Sequence, residues 1–448
     1  FGTEHLKSQA IRRVLREPLH AEEQQPLPPD PYWLPNEIPV SVESFTDTVS
    51  VEAIASRVPP ECFYLRFGSY ANYIWFQELG KRFGGDLSSA VALPGMATDG
   101  MERAERMLAT RTTTVSKMFG DRLVKDMVFF GSDLYFNDGP SLAVLVQAAN
   151  PGLIQASFES DRKAILSENA DARLSQVAIG DQVLSLISTP DNRIRSYLLV
   201  DGSFLLITTS LRLAERFIEV GKSQLSLAST PMFRWARMQM PETNDYSVFG
   251  YFSPEFFQKL LGPQYQIELR RRQMAAAHLE LAEIASRAAE FDTSWADPTS
   301  SIVTNSQLNL SLASNLNAMR ECGLLPVWFD QRPDEARLLR RNDGWVDSHR
   351  GARGSFLPIA DVKISSVSTE EAAQYAKTAE FYQTQWGRMD PLFFGLRRFQ
   401  ADGTTEVAPS RNGGQVEQVA IEAFLAPFEP KKYGLVFEQL ATPSPEAV

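Results

Sequence analysis

The sequence has few of the residues from which metal sites and disulfide frameworks are built. Its 448 residues include two cysteines, Cys62 and Cys322, far apart in the chain. This spacing fits neither a zinc site nor a disulfide scaffold, so the cysteines are interpreted as two separate buried thiols or as a single long-range disulfide. The four histidines lie too far apart for a metal-binding pair, and no cofactor is expected: His5, His20, His278 and His349.

Motifs for phosphate binding and for nucleophilic catalysis are missing as well. The sequence contains no GxxxxGK[ST], no GxGxxG after a strand and no GxSxG. Ser69 and Ser253 each lie between a predicted strand and a predicted helix, where a nucleophile could sit, but helix capping accounts for both serines. An enzyme is therefore the less favoured class.

The sequence also lacks an excess of positive charge and a long hydrophobic run. Its 44 Lys and Arg against 55 Asp and Glu give a net charge of −11, which argues against a nucleic-acid-binding surface. Two uncharged runs are long enough to be checked as membrane spans. The run 139–158 is interrupted by Asn150-Pro151-Gly152, and the run 298–319 is rich in Ser, Thr and Asn, so no membrane span is predicted. The chain begins at Phe1, which leaves a removed signal peptide open.

What the sequence does have is enough apolar residues to fill several cores. Apolar residues make up 44% and aromatic residues 10% of the chain, which predicts a soluble protein with at least two cores. Residues 1–60 differ from the rest because the segment 24–35 carries five prolines together with Trp33. We predict an extended strap at 1–60 and two domains at 61–245 and 246–448.

Predicted helices and strands alternate after the strap. The apolar run 62–67 predicts a strand, and the spacing of aromatic residues between Tyr70 and Phe83 predicts a helix. Further elements follow from cap, stop and turn signals: a helix over 101–119 between Asp99 and Gly120, a strand at 134–136, a strand at 142–146, and a helix that begins at Pro151 behind Asn150.

Four consecutive strand patterns are the clearest feature of the sequence, and they lie at 174–179, 182–188, 193–200 and 203–209. Their short connections can join only antiparallel neighbours, so an antiparallel meander is predicted. Asp201-Gly202 is expected to form its tightest turn, because both residues tolerate a positive φ. Thr208-Thr209-Ser210 is then expected to cap a helix over 211–220 that ends at Gly221.

The C-terminal half begins with a predicted strand at 246–252, a helix start at Ser253-Pro254 and a long helix over 264–291. Apolar residues recur every seven positions in the long helix from Ile267 to Ala288, a stripe expected to face the protein's own core or a partner helix. The elements after residue 300 are a helix at 307–322, a loop at 326–358, a strand at 359–365, a helix at 369–386, strands at 392–400 and 415–426, and a turn at Asp402-Gly403.

Two similar junctions indicate a weak internal duplication. Phe67-Gly68-Ser69-Tyr70 and Tyr251-Phe252-Ser253-Pro254 both join a predicted strand to a predicted helix. Together with the meander, these junctions predict an α+β fold, with antiparallel meander sheets and helices packed on one face.

The loop 337–356 concentrates positive charge in an otherwise acidic protein. Five arginines stand against Asp343 and Asp347, and glycines between them leave the backbone accessible. Internal pairing with carboxylates, binding of an anionic group and a catalytic role are the three interpretations of this loop. The predicted site for an anion or a partner consists of Arg340, Arg341, His349, Arg350 and Arg353.

Longer stretches resemble a known group of sequences. RSYLLVDGSFLLITTSLRLAERF and YSVFGYFSPEFFQKLLGPQY are similar to a loose family of uncharacterised bacterial envelope-associated proteins, and VPPECFYLRFGS resembles the entry strand of that family. DGWVDSHRGARGSFLPIAD looks like large hypothetical proteins of planctomycete-type bacteria. The resemblance covers about residues 55–265, implies an extracytoplasmic setting and offers no catalytic residues.

These observations favour a non-enzymatic extracytoplasmic scaffold, assembly or binding protein of unknown ligand, whose partner would be another envelope protein. A periplasmic or envelope location is expected, with the cytoplasm not excluded and the oligomeric state open. The alternative is a hydrolase with a site assembled near the Arg337–Phe356 loop. A deep pocket that joins His349 to carboxylates from other segments favours the enzyme, whereas a shallow surface favours the binding protein.

Overall fold

The structure is a computed structural model, and it describes residues 10–16, 23–34, 49–83, 100–110, 122–133, 139–223, 225–291, 312–341, 344–385, 388–399 and 418–425. The strands are β1 (Gln24–Gln25), β2 (Phe63–Arg66), β3 (Val124–Gly131), β4 (Leu142–Ala148), β5 (Arg173–Ile179), β6 (Gln182–Ser188), β7 (Arg195–Asp201), β8 (Phe204–Thr208), β9 (Val248–Phe252), β10 (Leu338–Arg341), β11 (Gly344–Asp347), β12 (Val367–Ser368), β13 (Leu392–Phe399) and β14 (Gln418–Phe424). The helices are α1 (10–16), α2 (Tyr70–Phe83), α3 (Gly100–Met107), α4 (Pro151–Glu168), α5 (Leu211–Lys222), α6 (Pro231–Gln239), α7 (Pro254–Leu260), α8 (Pro263–Phe291), α9 (Leu316–Glu321) and α10 (Thr369–Gln385).

The chain divides into two compact units, each built from separate stretches of sequence. Unit 1 contains residues 1–30, 190–193 and 262–380. Unit 2 contains residues 31–189, 194–261 and 381–448. The predicted division at residues 60 and 245 stays a prediction.

The described residues of unit 2 form an antiparallel sheet of ten strands, in the order β14-β13-β9-β2-β3-β4-β8-β7-β6-β5. The sheet and the helices around it confirm the predicted α+β class. The meander is also confirmed, because β5, β6, β7 and β8 pair in sequence as antiparallel neighbours. Gly202 has a φ of +61° in the turn between β7 and β8, as the tight connection requires.

Helices pack on both faces of this sheet rather than on the one face predicted. Successive strand residues point to opposite faces, so Tyr64 contributes to one apolar cluster and Phe63 to the other. Phe217 of α5 and Phe233 of α6 lie in the cluster of Tyr64. The cluster of Phe63 includes residues of α2, α3, α4 and α7: Tyr73, Trp75, Ala104, Ile154 and Phe256. Because many central strand residues are buried on both faces, the strand sequences do not show which face is covered.

The sheet has an approximate internal symmetry at its centre. There β2 and β9 are antiparallel neighbours, with Phe63 opposite Phe252 and Arg66 opposite Phe249. Each of the two strands pairs next with a later strand, β3 or β13, which in turn pairs with the strand that follows it, β4 or β14. This arrangement supports the predicted duplication, since the two similar junctions follow the two central strands.

Helix starts agree with their sequence signals more closely than helix ends do. Asn150, Ser210 and Ser253 each accept a hydrogen bond from a backbone N–H in the first turn of the helix that follows. Gly221, predicted to end α5, lies inside it, because the helix continues to Lys222. The helix predicted over 101–119 ends at Met107, and residues 111–121 lie outside the described residues, as do the predicted strand at 134–136 and the turn at Asp402-Gly403.

Unit 1 surrounds the long helix α8. Apolar residues of α8, including Ala275, Leu279 and Ala282, pack in one cluster with Val14 of α1 and with Trp345 of the β10–β11 hairpin. That hairpin lies inside the segment 326–358, which was predicted to be a loop. The strand predicted at 359–365 is absent from this described segment, where Ile359–Asp361 forms a 3-10 turn instead.

The seven-residue stripe of α8 marks its buried face only in part, since Met274, Ala277 and Leu281 do belong to a core cluster. Ile267 is buried as expected, but Ile284 is 56% exposed and Ala288 is exposed. The buried face includes Glu268, Arg272 and other polar side chains. Apolar spacing located this face incompletely, because charged residues such as Glu268 and Arg272 are typical of a solvated surface in a sequence.

The proline-rich segment is extended, and its description covers residues 23–34. In unit 1, β1 pairs antiparallel with β12, with Gln24 opposite Ser368, and Leu27 packs beside Val367. In unit 2, Trp33 is half-buried, whereas Tyr32 is 75% exposed.

Cys62 and Cys322 are both free thiols, of which Cys62 is buried and Cys322 half-buried. None of the described helices is both long enough and apolar enough to cross a membrane.

Candidate functional site

The structure separates the five residues of the predicted arginine-loop site. Arg341 and His349 are exposed. Arg340 lies 5.4 Å from the centre of the Trp345 ring and 3.8 Å from Glu283. Arg353 and Arg350 are both paired with carboxylates, Arg353 at the surface with Glu280 at 2.9 Å and Arg350 in the interior.

Arg350 belongs to a buried ion-pair network and does not face an external ligand. Its Nε and Nη2 donate to the two carboxylate oxygens of Glu268 at 2.7 and 3.0 Å. Its Nη1 lies 2.7 Å from Asp334 and 3.6 Å from Asp347. Arg350 is 1% exposed, so its guanidinium is already matched by carboxylates of the fold, and the anion-binding role predicted for it stays a prediction.

Asp347 ties the loop to this network. Its Oδ1 accepts hydrogen bonds from the backbone N–H groups of His349 and Arg350 at 2.9 and 2.8 Å. Its Oδ2 accepts from Nη1 of Arg332 at 2.5 Å. The neighbouring Asp347, Ser348 and His349 therefore form a turn held by side-chain and backbone contacts, with no catalytic triad.

The charges of the network favour the ionised forms of Arg350 and Asp334 despite burial. Burial by itself lowers the pKa of Arg350, but Glu268, Asp334 and Asp347 outweigh it and raise that pKa above its ordinary value. Burial likewise raises the pKa of Asp334, but Arg350 and Arg332 outweigh it and bring that pKa below its ordinary value. Opposite charges in a dry interior favour the charged form of each partner.

His278 lies within the same interior and is neutral. Burial, and after it the positive charge of Arg332, lowers its pKa to about 4. Its Nδ1 lies 2.8 Å from the carbonyl oxygen of Met274, and a carbonyl can only accept, so Nδ1 carries the proton. The ring packs against Phe329 with 5.1 Å between centroids.

A cleft of unit 1 that is open to solvent lies beside this network. We call it the arginine cleft. Its wall contains four arginines, three carboxylates and several smaller or apolar residues: Arg13, Arg270, Arg271, Arg332, Asp334, Glu370, Glu371, Ile267, Met274, Pro333, Ser368 and Gln374. His349 does not line it.

Two of the four arginines are matched by carboxylates of α10. Arg271 donates to both oxygens of Glu371 at 2.6 and 2.7 Å, and Arg13 pairs with Glu370. Glu371 also accepts from the backbone N–H of Ser368 at 2.9 Å, which fixes the start of α10. These two pairs hold the wall of the cleft together.

Arg270 has no such partner. Its Nη2 donates to Thr378 at 2.6 Å, but no carboxylate of the described residues lies within ion-pair distance of it, and its buried Nη1 has no hydrogen-bond acceptor there. Burial and then the charge of Arg13 lower the pKa of Arg270, while Glu371 opposes them. The guanidinium is therefore a positive charge at the cleft that the neighbouring carboxylates leave incompletely neutralised.

Arg332 adds unused donors at the same wall. Its side chain is 2% exposed, and Nη1 is taken by Asp347. Nε and Nη2 have no hydrogen-bond acceptor within the described residues, although Nη2 lies 3.5 Å from Asp330. Buried donors usually have acceptors, so unused donors beside an open cleft indicate a place for an acceptor from outside.

The sequence did contain a signal for this cleft. Arg270, Arg271 and Arg272 are consecutive in the predicted long helix, and Glu370 and Glu371 begin a later one. Periodicity alone does not show that α8 and α10 lie together, so these residues gave no site in the sequence. No group of three or more His, Cys, Asp and Glu side chains among the described residues could hold a metal ion.

Comparisons with protein families, with curated proteins and with solved structures found no match to this chain.

Proposed function

We propose that the protein is a non-enzymatic, extracytoplasmic binding or assembly protein that takes an anionic group of its ligand or partner in the arginine cleft. The observation that carries the proposal is Arg270, a half-buried arginine of the cleft wall without a carboxylate at ion-pair distance among the described residues. An anion bound there would supply the missing acceptor for Nη1.

The wall of the cleft suits a carboxylate or phosphate group that carries an apolar part. Guanidinium groups present planar, paired donors that match the oxygens of both anions. Ile267, Met274 and Pro333 supply apolar surface on the same wall. Glu370 and Glu371 are held by Arg13 and Arg271, so their charges oppose an incoming anion less than free carboxylates would.

The test compares two arginine variants of the full chain by isothermal titration calorimetry, with inorganic phosphate and acetate as probes at low ionic strength. Arg270→Gln keeps a polar side chain and removes the charge of the cleft. Arg353→Gln is the matched control, because Arg353 is exposed and pairs with Glu280 away from the cleft wall. We expect Arg270→Gln to weaken anion binding by about tenfold or more, and Arg353→Gln to leave it unchanged.

Two results would overturn the cleft as the binding site. One is an unmodified protein that binds neither probe. The other is equal weakening by Arg270→Gln and Arg353→Gln, which would assign the effect to net charge. Thermal melting of both variants shows whether either change acts through stability instead.

The extracytoplasmic setting and an envelope protein as partner rest on the resemblance of residues 55–265. Fractionation of cells that make the full-length protein tests this part separately. We expect the protein in the periplasmic or envelope fraction, and recovery with a cytosolic marker would overturn it.

A further inference from the structure

The strand β5 ends the described part of the ten-stranded sheet. All seven of its residues pair with β6, from Arg173 opposite Ser188 to Ile179 opposite Gln182, without a register shift. No described strand pairs with its other side. A regular edge strand leaves a row of backbone N–H and C=O groups available for another strand.

This edge has few of the features that prevent strands from pairing. Between Arg173 and Ile179 there is no proline and no lysine, and Arg173 is the only charged residue. Five of the seven residues are exposed. Proteins commonly protect an edge with inward charges, prolines or bulges, and β5 lacks all three.

One face of β5 and β6 carries exposed apolar side chains together with Gln176, which lies between Leu174 and Ala178. Leu174 is 60% exposed and Val183 is 58% exposed. Ala178 lies opposite Val183 in the ladder, and Leu174 and Ala178 are an even number of positions apart, so all three side chains share a face. Exposed apolar side chains next to unpaired backbone groups favour a partner strand that covers the side chains and pairs with the backbone.

We propose that β5 pairs with β5 of a second copy of this chain, antiparallel and with a two-fold axis at Gln176. This register is self-complementary. It places Leu174 of each copy opposite Ala178 of the other, so that Val183, Ala178, Leu174 and Ile187 form one apolar row across the junction. The two-fold axis generates a second, equivalent apolar row, and the sheets of the two copies form one continuous sheet.

The proposed register makes a specific prediction about cross-linking. Gln176 is exposed and would face Gln176 of the second copy, within the distance that a disulfide can span. The Ala178 residues of the two copies would lie about 13 Å apart along the strands, which is too far for a disulfide. Gln176→Cys should therefore form a cross-linked dimer under mild oxidation, and Ala178→Cys should not. Both variants are made with Cys322→Ser, because Cys322 is half-buried and Cys62 is buried.

Association of the unmodified protein is measured by sedimentation equilibrium on the full chain across the micromolar range. A strand pair covers less area than a standard interface, so we expect a weak dimer. Leu174→Lys should raise the dissociation constant about tenfold or more, because it places a charge in the apolar row. The matched control is Leu225→Lys, since Leu225 is 75% exposed and lies outside β5 and β6.

Three results would overturn the proposal. The first is a monomer at every concentration, which would show that β5 does not pair with a second copy of this chain. The second is equal dissociation constants for Leu174→Lys and Leu225→Lys. The third is cross-linking of Ala178→Cys as efficient as that of Gln176→Cys, which would exclude the register. Because Leu174 is mainly exposed, an unchanged melting temperature of Leu174→Lys would show that the variant is folded.

Discussion

His278 is a residue whose neutral state stabilises the fold at neutral pH. Its pKa of about 4 lies below the ordinary 6.5, so unfolding takes up a proton whenever the pH lies between these values. The stabilisation is complete above 6.5 and is lost as the pH falls towards about 4. We expect the free energy of unfolding to fall by up to about 3 kcal/mol from this residue alone.

The measurement is urea denaturation of the unmodified protein and of His278→Gln at a series of pH values. Glutamine can still donate to the carbonyl of Met274 but does not titrate in this range. The variant should therefore show a shallower loss of stability on acidification, whatever its stability at neutral pH. Parallel curves for the two proteins would show that folding does not change the pKa of His278.

The pair of Glu52 and Arg237 tests the cost of a buried charge in unit 2. Both side chains are at most 2% exposed, and Tyr64 also donates to Glu52 at 2.7 Å. Arg237→Met would leave the carboxylate buried without its partner, which should cost about 3–5 kcal/mol in chemical denaturation. Arg212→Met is the control, because Arg212 is half exposed and its pair with Glu215 contributes little. Equal effects of the two substitutions would contradict this role.

At the scale of elements, substitutions at Gly202 test whether the turn between β7 and β8 requires a residue that tolerates a positive φ. Its φ is +61°, and a Cβ there would have no neighbour within 4 Å, so a substitution meets backbone strain alone. Gly202→Val should destabilise the protein by about 1 kcal/mol or more, and Gly202→Asn by less, because asparagine tolerates this conformation. Gly152→Val is the control, since Gly152 lies in the first turn of α4. Thermal melting of the three variants gives the order, and equal melting temperatures for Gly202→Val and Gly202→Asn would contradict the turn assignment.

Elements with local signals were predictable, and those decided by long-range contacts were not. Ser253-Pro254 predicted the start of α7, because the serine cap and the helical φ of proline act within one turn. The hairpin β10–β11 was missed because Trp345 donates to Ser286 of α8 and packs beside residues far away in the sequence. The same holds for the arginine cleft, which depends on α8 and α10 lying together.

At the scale of the whole molecule, the N-terminal segment belongs to a unit formed mainly by residues 262–380. Val14 of α1 is 2% exposed, and Trp328 donates to its carbonyl oxygen at 3.0 Å. Val14→Asp should therefore open unit 1, at a cost of about 2 kcal/mol or more. Arg16→Asp is the control, because Arg16 is exposed in the same helix.

Limited proteolysis with mass spectrometry distinguishes the two variants by location. We expect Val14→Asp to accelerate cleavage within residues 262–380 and to leave the sheet of unit 2 protected. Arg16→Asp should give the cleavage pattern of the unmodified protein. If Val14→Asp also does so, the N-terminal helix does not stabilise unit 1.

The sequence by itself determined the α+β class, the antiparallel meander and most helix starts, because turns, caps and strand alternation act over a few residues. It also carried the repeated junctions that follow β2 and β9. The tertiary structure decided that helices cover both faces of the sheet, that Arg350 is buried against Glu268, and that Arg270 is left at an open cleft. These features depend on which distant charges and apolar faces meet, since the free energy of a charge is set by its surroundings and not by its neighbours in the sequence.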